Sequence, residues 1–211
     1  MKHVVVIGSG PLAIHAANYF DLNGQYSLDY VVPRVPEPTW TIKFSAWAKS
    51  QKLRVIISGD CNDVPHTQID IAFITNFNKI VTPEFINRCG VVLNLHSAPL
   101  PKYRGVSPVN WALKNNETEH GVTLHVVDEG VDTGPIISQM KFTIYPEFEE
   151  VEGVYWRAYE YARLLFDQTM PILDKITPRE QDNSLASFYK HSDDVRLGDR
   201  RWFTKKETGP R

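Results

Sequence analysis

Cysteine is scarce in this chain of 211 residues, which has only Cys61 and Cys89. The two are far apart in sequence, and they form neither a Cys-x-x-Cys pair nor a Cys/His set with the spacing of metal ligands. This argues against a disulfide framework and against a zinc site built on cysteine. Two isolated thiols are typical of a protein from a reducing compartment.

Strong charge and long hydrophobic runs are also missing. The formal net charge is −2, which gives no broad attraction to nucleic acid or to an anionic membrane. The opening MKHVVVIGSG is too short an apolar run for a membrane-spanning helix and lacks the layout of a signal peptide. We therefore expect a cytoplasmic protein with no nucleic-acid or membrane partner. The locally basic end is interpreted as a frayed terminus and comprises Arg200, Arg201, Lys205 and Lys206.

The chain contains a regular alternation of strand-like and helix-like segments. This rhythm predicts an α/β fold, a Rossmann-like open, mostly parallel twisted sheet with helices on both faces. The predicted strands are His3–Ile7, Leu28–Val32, Arg54–Ile57, Ile69–Ile74, Val91–Leu95, Gly121–Val127 and Pro135–Tyr145. The predicted helices are Leu12–Leu22, Trp40–Gln51 and Pro83–Arg88.

A long helix is predicted over Phe148–Met170, where apolar residues recur at steps of three and four. Pro171 is expected to end or kink this helix. We place one main domain over residues 1–178 and a short C-terminal extension over residues 179–211, with a hairpin around Ser187–Lys190. The sequence leaves a homodimer open.

The first motif is a glycine turn, Gly8-Ser9-Gly10-Pro11-Leu12-Ala13, between a strand and a helix. It matches the G-x-G-x-x-A variant of the dinucleotide fingerprint. A nicotinamide site also needs an acid at the end of the second strand, and the apolar run continues past the only candidate, Asp29. An NAD(P)-binding oxidoreductase is thus one alternative. The other is a turn that is either purely structural or touches a substrate phosphate through Gly10 and Pro11.

The second motif runs from Asn94-Leu95-His96 through Pro101-Lys102-Tyr103-Arg104-Gly105. Residues two apart in a strand point to the same face, so Asn94 and His96 are expected at one crevice at the carboxyl end of a parallel strand. A carboxamide can donate a hydrogen bond to a developing oxyanion, and an imidazole can donate, accept or transfer a proton near neutral pH.

A second loop, Asp128-Glu129-Gly130-Val131-Asp132-Thr133-Gly134, follows the strand Gly121–Val127. It is expected to bring Asp132 to His96, where a carboxylate favours imidazolium and orients the ring. Each motif alone also has a purely structural interpretation. A metal site of His96, His125 and Asp132 is one alternative, but we expect no metal because no metal-binding spacing is present. His120 and His125 are interpreted as packed or surface residues.

Together the two motifs resemble the 10-formyltetrahydrofolate-dependent formyltransferase family. That family includes glycinamide ribonucleotide transformylase, methionyl-tRNA formyltransferase and the sugar N-formyltransferases. The resemblance covers the chain from the first strand to about residue 145. It implies that Asn94, His96 and Asp132 are catalytic and that 10-formyltetrahydrofolate is the formyl donor.

The resemblance also implies the residues that hold the folate and the acceptor. Two segments resemble the loops around the pterin, contributing Asn78, Lys79, Ile80 and Val81 from one and Val127, Glu129 and Val131 from the other. Gly10, Pro11, Tyr103 and Arg104 are the candidate acceptor contacts. Tyr103, Trp111 and Tyr189 are candidates for stacking on a base or sugar, with core packing as the alternative for Trp111.

The identity of the acceptor is the finer expectation. The chain ends before the barrel domain expected of a methionyl-tRNA enzyme, and it is acidic. Pro101–Gly105 resembles the sugar and tRNA branches more than the purine branch, and the tail Gln181–Lys190 resembles the end of the sugar enzymes' core. We expect a nucleotide-linked amino sugar as acceptor. Glycinamide ribonucleotide is one alternative, and a non-catalytic module that binds folate or nucleotide is another.

Overall fold

The computed structural model describes residues 1–65 and 68–200. Of the basic end that is predicted to fray, Arg201, Lys205 and Lys206 lie outside these residues. The strands are β1 Lys2–Gly8, β2 Tyr26–Pro33, β3 Ile69–Thr75, β4 Cys89–His96, β5 Arg104–Gly105, β6 Glu119–Val126, β7 Ile136–Thr143 and β8 Phe188–Tyr189. The α-helices are α1 Gly10–Leu22, α2 Phe44–Ser50, α3 Pro83–Asn87, α4 Pro108–Lys114 and α5 Val151–Thr169.

Six strands of the described chain form one sheet in the order β2-β1-β3-β4-β6-β7. β1 pairs in parallel with β2 and β3, and β3 pairs in parallel with β4. β7 runs antiparallel to β6. The predicted α/β fold with a mostly parallel sheet and a long C-terminal helix is confirmed. No helix of the described segments is long and apolar enough to cross a membrane.

The chain divides into two compact units, of which the first comprises residues 1–95 and 126–129. Its strands are covered on both faces. On one face the rings of Phe20 in α1 and Phe73 in β3 lie 6.1 Å apart. On the other face Phe85 of α3 joins an apolar cluster with Ala72 and Ile74 of the same strand. Alternation along β3 therefore supplies both cores.

Gly8 is required where β1 ends. Its φ is +144°, and a Cβ atom there would lie 1.8 Å from the carbonyl oxygen of Thr75 at the end of β3. Only glycine allows this approach. The glycine turn that resembles a dinucleotide fingerprint thus has a structural reason in its first residue.

The second unit comprises residues 96–125 and those from 130 onward. The helix α5 packs on β7 and buries Ala158, Ala162 and Leu165, as the apolar spacing predicts. Two short strands, β5 and β8, pair in parallel and join the tail to the segment that follows β4.

Several elements differ from the sequence prediction. Arg54–Ile57 is not a strand, because only Val55 bridges to Val31 before the chain turns. The hairpin at Ser187–Lys190 is also wrong, since Phe188–Tyr189 pairs in parallel with the distant β5.

Helix boundaries account for the other differences. The helix predicted from Trp40 starts at Phe44, where the Glu37 carboxylate accepts a hydrogen bond from the Ser45 amide. The helix α4 was not predicted, although Pro108 marks its first turn. The long helix begins at Val151, and Phe148 lies outside it with 84% of its surface exposed.

Candidate functional site

The predicted pair Asn94 and His96 lies on β4, two residues apart at the end of the strand. Asn94 is half-buried, and its Cα partner in β3 is Ile74. His96 is the last residue of the strand and is 9% exposed. The alternation expected from the sequence is therefore present.

The His96 ring has a defined orientation. Its Nε2 lies 2.9 Å from the carbonyl oxygen of Tyr103. Because a carbonyl only accepts, Nε2 carries a hydrogen and donates it. The other ring nitrogen, Nδ1, lies 3.6 Å from Oδ2 of Asp132. That contact is longer than a hydrogen bond but close enough for strong attraction whenever the ring is protonated.

Asp132 has both carboxylate oxygens engaged by the second unit. Oδ2 accepts a hydrogen bond of 2.8 Å from the Gly105 amide. Oδ1 lies 3.5 Å from Nε2 of His125. Burial alone would raise the pKa of Asp132, but the neighbouring His96, the contact with His125 and the Gly105 amide together hold that pKa well below its usual range. The carboxylate is therefore ionised at neutral pH.

The backbone of Asp132 is in the left-handed region, with φ at 54°. Aspartate is one of the few non-glycine residues that adopt this region often. The preceding Gly130 leaves room for the turn, since a Cβ there would lie 2.0 Å from Oγ1 of Thr133. The glycine-punctuated loop thus places Asp132 beside His96 as its composition predicts.

The predicted folate loops lie in the first unit, apart from Val131, which is in the second. Asn78, Lys79 and Ile80 are exposed, with Ile80 at 78%. Val81 and Val127 both pack against the same apolar cluster of this unit. Glu129 and Val131 are exposed. Apolar and amide groups are thus offered to a ligand, and their contact with folate stays a prediction.

The predicted acceptor contacts have the following surroundings. Gly10 has a φ of 75° at the start of α1, and Pro11 is in the first turn of that helix. Tyr103 is 3% exposed, and its hydroxyl donates to Glu117. Arg104 is 7% exposed and donates to the side-chain oxygens of Gln181 and Asn183.

For Tyr103 and Arg104, the side chains already have partners within the protein. The side chains of Tyr103 and Arg104 contact protein groups, and Tyr103 contributes its backbone carbonyl to His96. Trp111 is 3% exposed and stacks on Tyr189 with ring centroids 4.1 Å apart, so core packing describes it. Substrate contact by Tyr103 and Arg104 stays a prediction.

Sequence reasoning missed three contributors. His125 is packed, one of its two predicted roles, at 1% exposed, but it also faces Asp132, a contact that the sequence suggested only as part of a metal site. The available signal was a titratable side chain inside a predicted strand of the sheet. The Gly105 amide and Gln181 reach Asp132 only through long-range contacts, for which no local signal exists.

Metal binding receives no support from the described part of the chain. Among residues 1–65 and 68–200 no group of three or more His, Cys, Asp or Glu side chains is arranged to hold a metal ion. Nδ1 of His96 and Nε2 of His125 each lie within 3.6 Å of the Asp132 carboxylate. Asp29, the acid considered for a nicotinamide site, lies inside β2 and is 2.8 Å from the ring of His3.

Comparison with known proteins finds a family model and two relatives that match this chain. A family model described as "Formyl transferase" matches residues 47–168. The methionyl-tRNA formyltransferase of Methylacidiphilum infernorum is 28% identical over 206 residues, covering 90% of this chain and 64% of that protein. The phosphoribosylglycinamide formyltransferase of Haemophilus influenzae is 42% identical over 88 residues, covering 40% of this chain and 42% of that protein. The chain thus spans less than two thirds of the length of these relatives.

A solved structure is similar over more of the chain. The N-formyltransferase from Helicobacter canadensis, in complex with folinic acid and dTDP-3-aminofucose, superimposes with a TM-score of 0.77 at 27% identity. The match covers 92% of this chain and 72% of that one.

Proposed function

This chain belongs to the formyl transferase family, and we propose that it moves a formyl group from 10-formyltetrahydrofolate to the amine of a nucleotide-linked amino sugar. The observation that carries the proposal is the buried pair of His96 and Asp132, with the ring of His96 oriented by the Tyr103 carbonyl. The donor is supported by the family and by the folinic acid bound to the Helicobacter canadensis enzyme. The acceptor is supported by the aminofucose nucleotide in the same complex.

The proposed step begins when the neutral amine of the acceptor attacks the formyl carbon. The carbonyl oxygen gains negative charge, and the Asn94 amide donates a hydrogen bond to it. The bond between the formyl carbon and N10 of the folate then breaks, and the amine loses a proton while the folate nitrogen gains one. The products are the formamide and tetrahydrofolate.

In the proposed step, one ring nitrogen of His96 transfers the proton. Since Nε2 already donates to Tyr103, Nδ1 is the nitrogen that takes up and releases the proton. The charge of Asp132, 3.6 Å away, stabilises the imidazolium that forms during the step. Asp132 thus acts through His96 and stays ionised.

A second candidate acceptor is glycinamide ribonucleotide. It is favoured by the 42% identity to the Haemophilus influenzae enzyme over 88 residues. Formyl transfer from the same donor would use the same three residues. Only the acceptor would differ.

The test measures binding and turnover together. Melting curves with 5-formyltetrahydrofolate, NADPH and a panel of nucleotide sugars come first, because a ligand that binds the folded state raises the melting temperature. We expect stabilisation by the folate and none by NADPH. Absence of stabilisation at saturating folate would contradict the folate proposal.

Turnover then identifies the acceptor. Formyl transfer is assayed with nucleotide-linked amino sugars, glycinamide ribonucleotide and methionyl-tRNA, using Asn94→Ala, His96→Asn and Asp132→Asn as inactive controls. Transfer to an amino sugar supports the proposal, whereas transfer to one of the other acceptors alone replaces it. Near-normal activity of all three variants would contradict the assigned site.

A further inference from the structure

The tail of the second unit is tied to the loop that carries Asp132. Ile136 and Arg179 form an antiparallel bridge, with hydrogen bonds of 2.8 and 2.9 Å between their backbones. Two residues further along, Gln181 is half-buried among exposed neighbours. Its side chain therefore points back onto the segment that precedes the bridge.

Both polar atoms of the Gln181 side-chain amide form hydrogen bonds. Its Nε2 donates to the backbone oxygen of Asp132 at 2.9 Å and to that of Gly134 at 2.7 Å. Its Oε1 accepts from Nε and Nη2 of Arg104 at 3.1 and 2.8 Å. One side chain thus joins the loop of Asp132 to Arg104, the neighbour of Gly105, whose amide donates to the Asp132 carboxylate.

The backbone of Asp132 and the side chain of Arg104, which Gln181 joins, both require stabilising contacts. The backbone of Asp132 is in the left-handed region, which aspartate tolerates better than most residues but adopts less often than extended or helical backbone, so hydrogen bonds at its carbonyl help to keep it there. Arg104 is buried, and it donates to the neutral side-chain amide oxygens of Gln181 and Asn183. The hydrogen bond from Gln181 to the Asp132 carbonyl fixes the backbone there, and this sets the direction in which the carboxylate side chain points.

We propose that Gln181 is a positioning residue that keeps the Asp132 carboxylate against His96 and the Gly105 amide. This rests on the proposed function, in which Asp132 acts through His96. Gln181 contacts none of the reacting groups, so its effect is expected in the rate of the chemical step and not in the binding of either substrate.

The principal variant is Gln181→Met, which keeps the length of the side chain and removes its amide. Gln181→Glu keeps the acceptor for Arg104 but places an oxygen opposite the carbonyls of Asp132 and Gly134. Asn183→Ala is the matched control, because it removes the other amide oxygen that Arg104 contacts and leaves the loop untouched.

The kinetic result separates positioning from binding. A displacement of about 1 Å in a catalytic group costs roughly 10²-fold in rate. We expect kcat to fall roughly 10–100-fold in both Gln181 variants, with KM for each substrate changed less than about threefold. Asn183→Ala should keep wild-type kcat. Normal kcat in Gln181→Glu would overturn the inference, because the Arg104 contact alone would then suffice.

Hydrogen exchange without substrate gives a second, independent measurement. The Gly105 amide donates to Asp132, whereas the amides of Arg104 and Val106 donate to the carbonyls of Ser187 and Tyr189 in the tail. In Gln181→Met we expect exchange at Gly105 to accelerate roughly tenfold or more, with Arg104 and Val106 unchanged. Unchanged exchange at Gly105 would overturn the inference, as would equal acceleration at all three, which indicates a detached tail.

The two proposals fail separately. If the wild-type chain transfers no formyl group to any acceptor, the proposed function is overturned, and exchange at Gly105 still decides the placement of Asp132. If the wild type is active and Gln181→Met matches it in kcat, only the role of Gln181 is overturned.

Discussion

Replacement of His120 by glutamine should make the fold more resistant to acid. His120 is fully buried, its Nε2 lies 2.9 Å from the Ser97 carbonyl, and its ring packs edge-on against Phe142. Burial penalises the charged ring most, while the Ser97 carbonyl opposes this and the nearby His96 adds to it. The net effect lowers the pKa of His120 from 6.5 to about 4.

The lowered pKa sets the size of the effect and its direction. The folded protein binds the proton more weakly than the unfolded chain, so this stability is complete above pH 6.5 and is lost as the pH falls towards 4. At 1.36 kcal/mol per pH unit, the loss on full acidification is about 3 kcal/mol. Glutamine keeps a donor for the Ser97 carbonyl and does not titrate.

The assay is urea unfolding of wild type and His120→Gln at several pH values from 7.5 to 4. The free energy of unfolding of the variant relative to the wild type should rise by about 3 kcal/mol over this range, whatever its sign at neutral pH. Other titrating groups are shared by both proteins and cancel in the comparison. A difference that is constant with pH would refute the account of His120 as a buried neutral ring.

Three other substitutions test the site and the fold. Asp132→Asn should lower kcat at least about 10²-fold in steady-state kinetics, because the imidazolium of His96 loses its counter-charge, while circular dichroism stays that of the wild type; an active variant would contradict the role of the carboxylate. His125→Phe keeps a ring of similar size but removes the second contact to Asp132, and we expect roughly tenfold lower kcat from a lost hydrogen bond to a charged group. Unchanged kcat would make His125 a packing residue. Gly8→Ala should destabilise the fold by on the order of 3 kcal/mol in urea unfolding, since its Cβ would lie 1.8 Å from the Thr75 oxygen; a wild-type midpoint would show that β1 and β3 can separate at low cost.

Features that depend on neighbouring residues could be predicted from the sequence. The apolar runs of β1, β3 and β4 and the three-to-four spacing in α5 report burial directly, because each face of a strand or helix has its own period. For the same reason Asn94 and His96 could be placed on one strand and Asp132 on a glycine-rich loop. Proline and glycine also marked where α1 begins and where the loop of Asp132 turns.

Features that depend on partners distant in sequence could not be predicted. Phe188–Tyr189 looks like half of a local hairpin, yet the tail pairs with β5, more than eighty residues away in the chain. Arg54–Ile57 has the composition of a strand, but only Val55 finds a partner. Strand composition reports a preference for extended backbone and does not say which edge is available for pairing.

The candidate site also has features that were predictable from the sequence and features that were not. The sequence alone singled out the side chains that we propose carry the chemistry, because Asn94, His96 and Asp132 stand in motifs whose residue types and spacing are local. Only the tertiary structure decided how they are held, with His125, the Gly105 amide and Gln181 each reaching Asp132 or its loop from another part of the second unit. The physical reason is that a buried carboxylate must satisfy its hydrogen bonds with whatever donors the fold brings near, and proximity in space leaves no periodic trace in the chain.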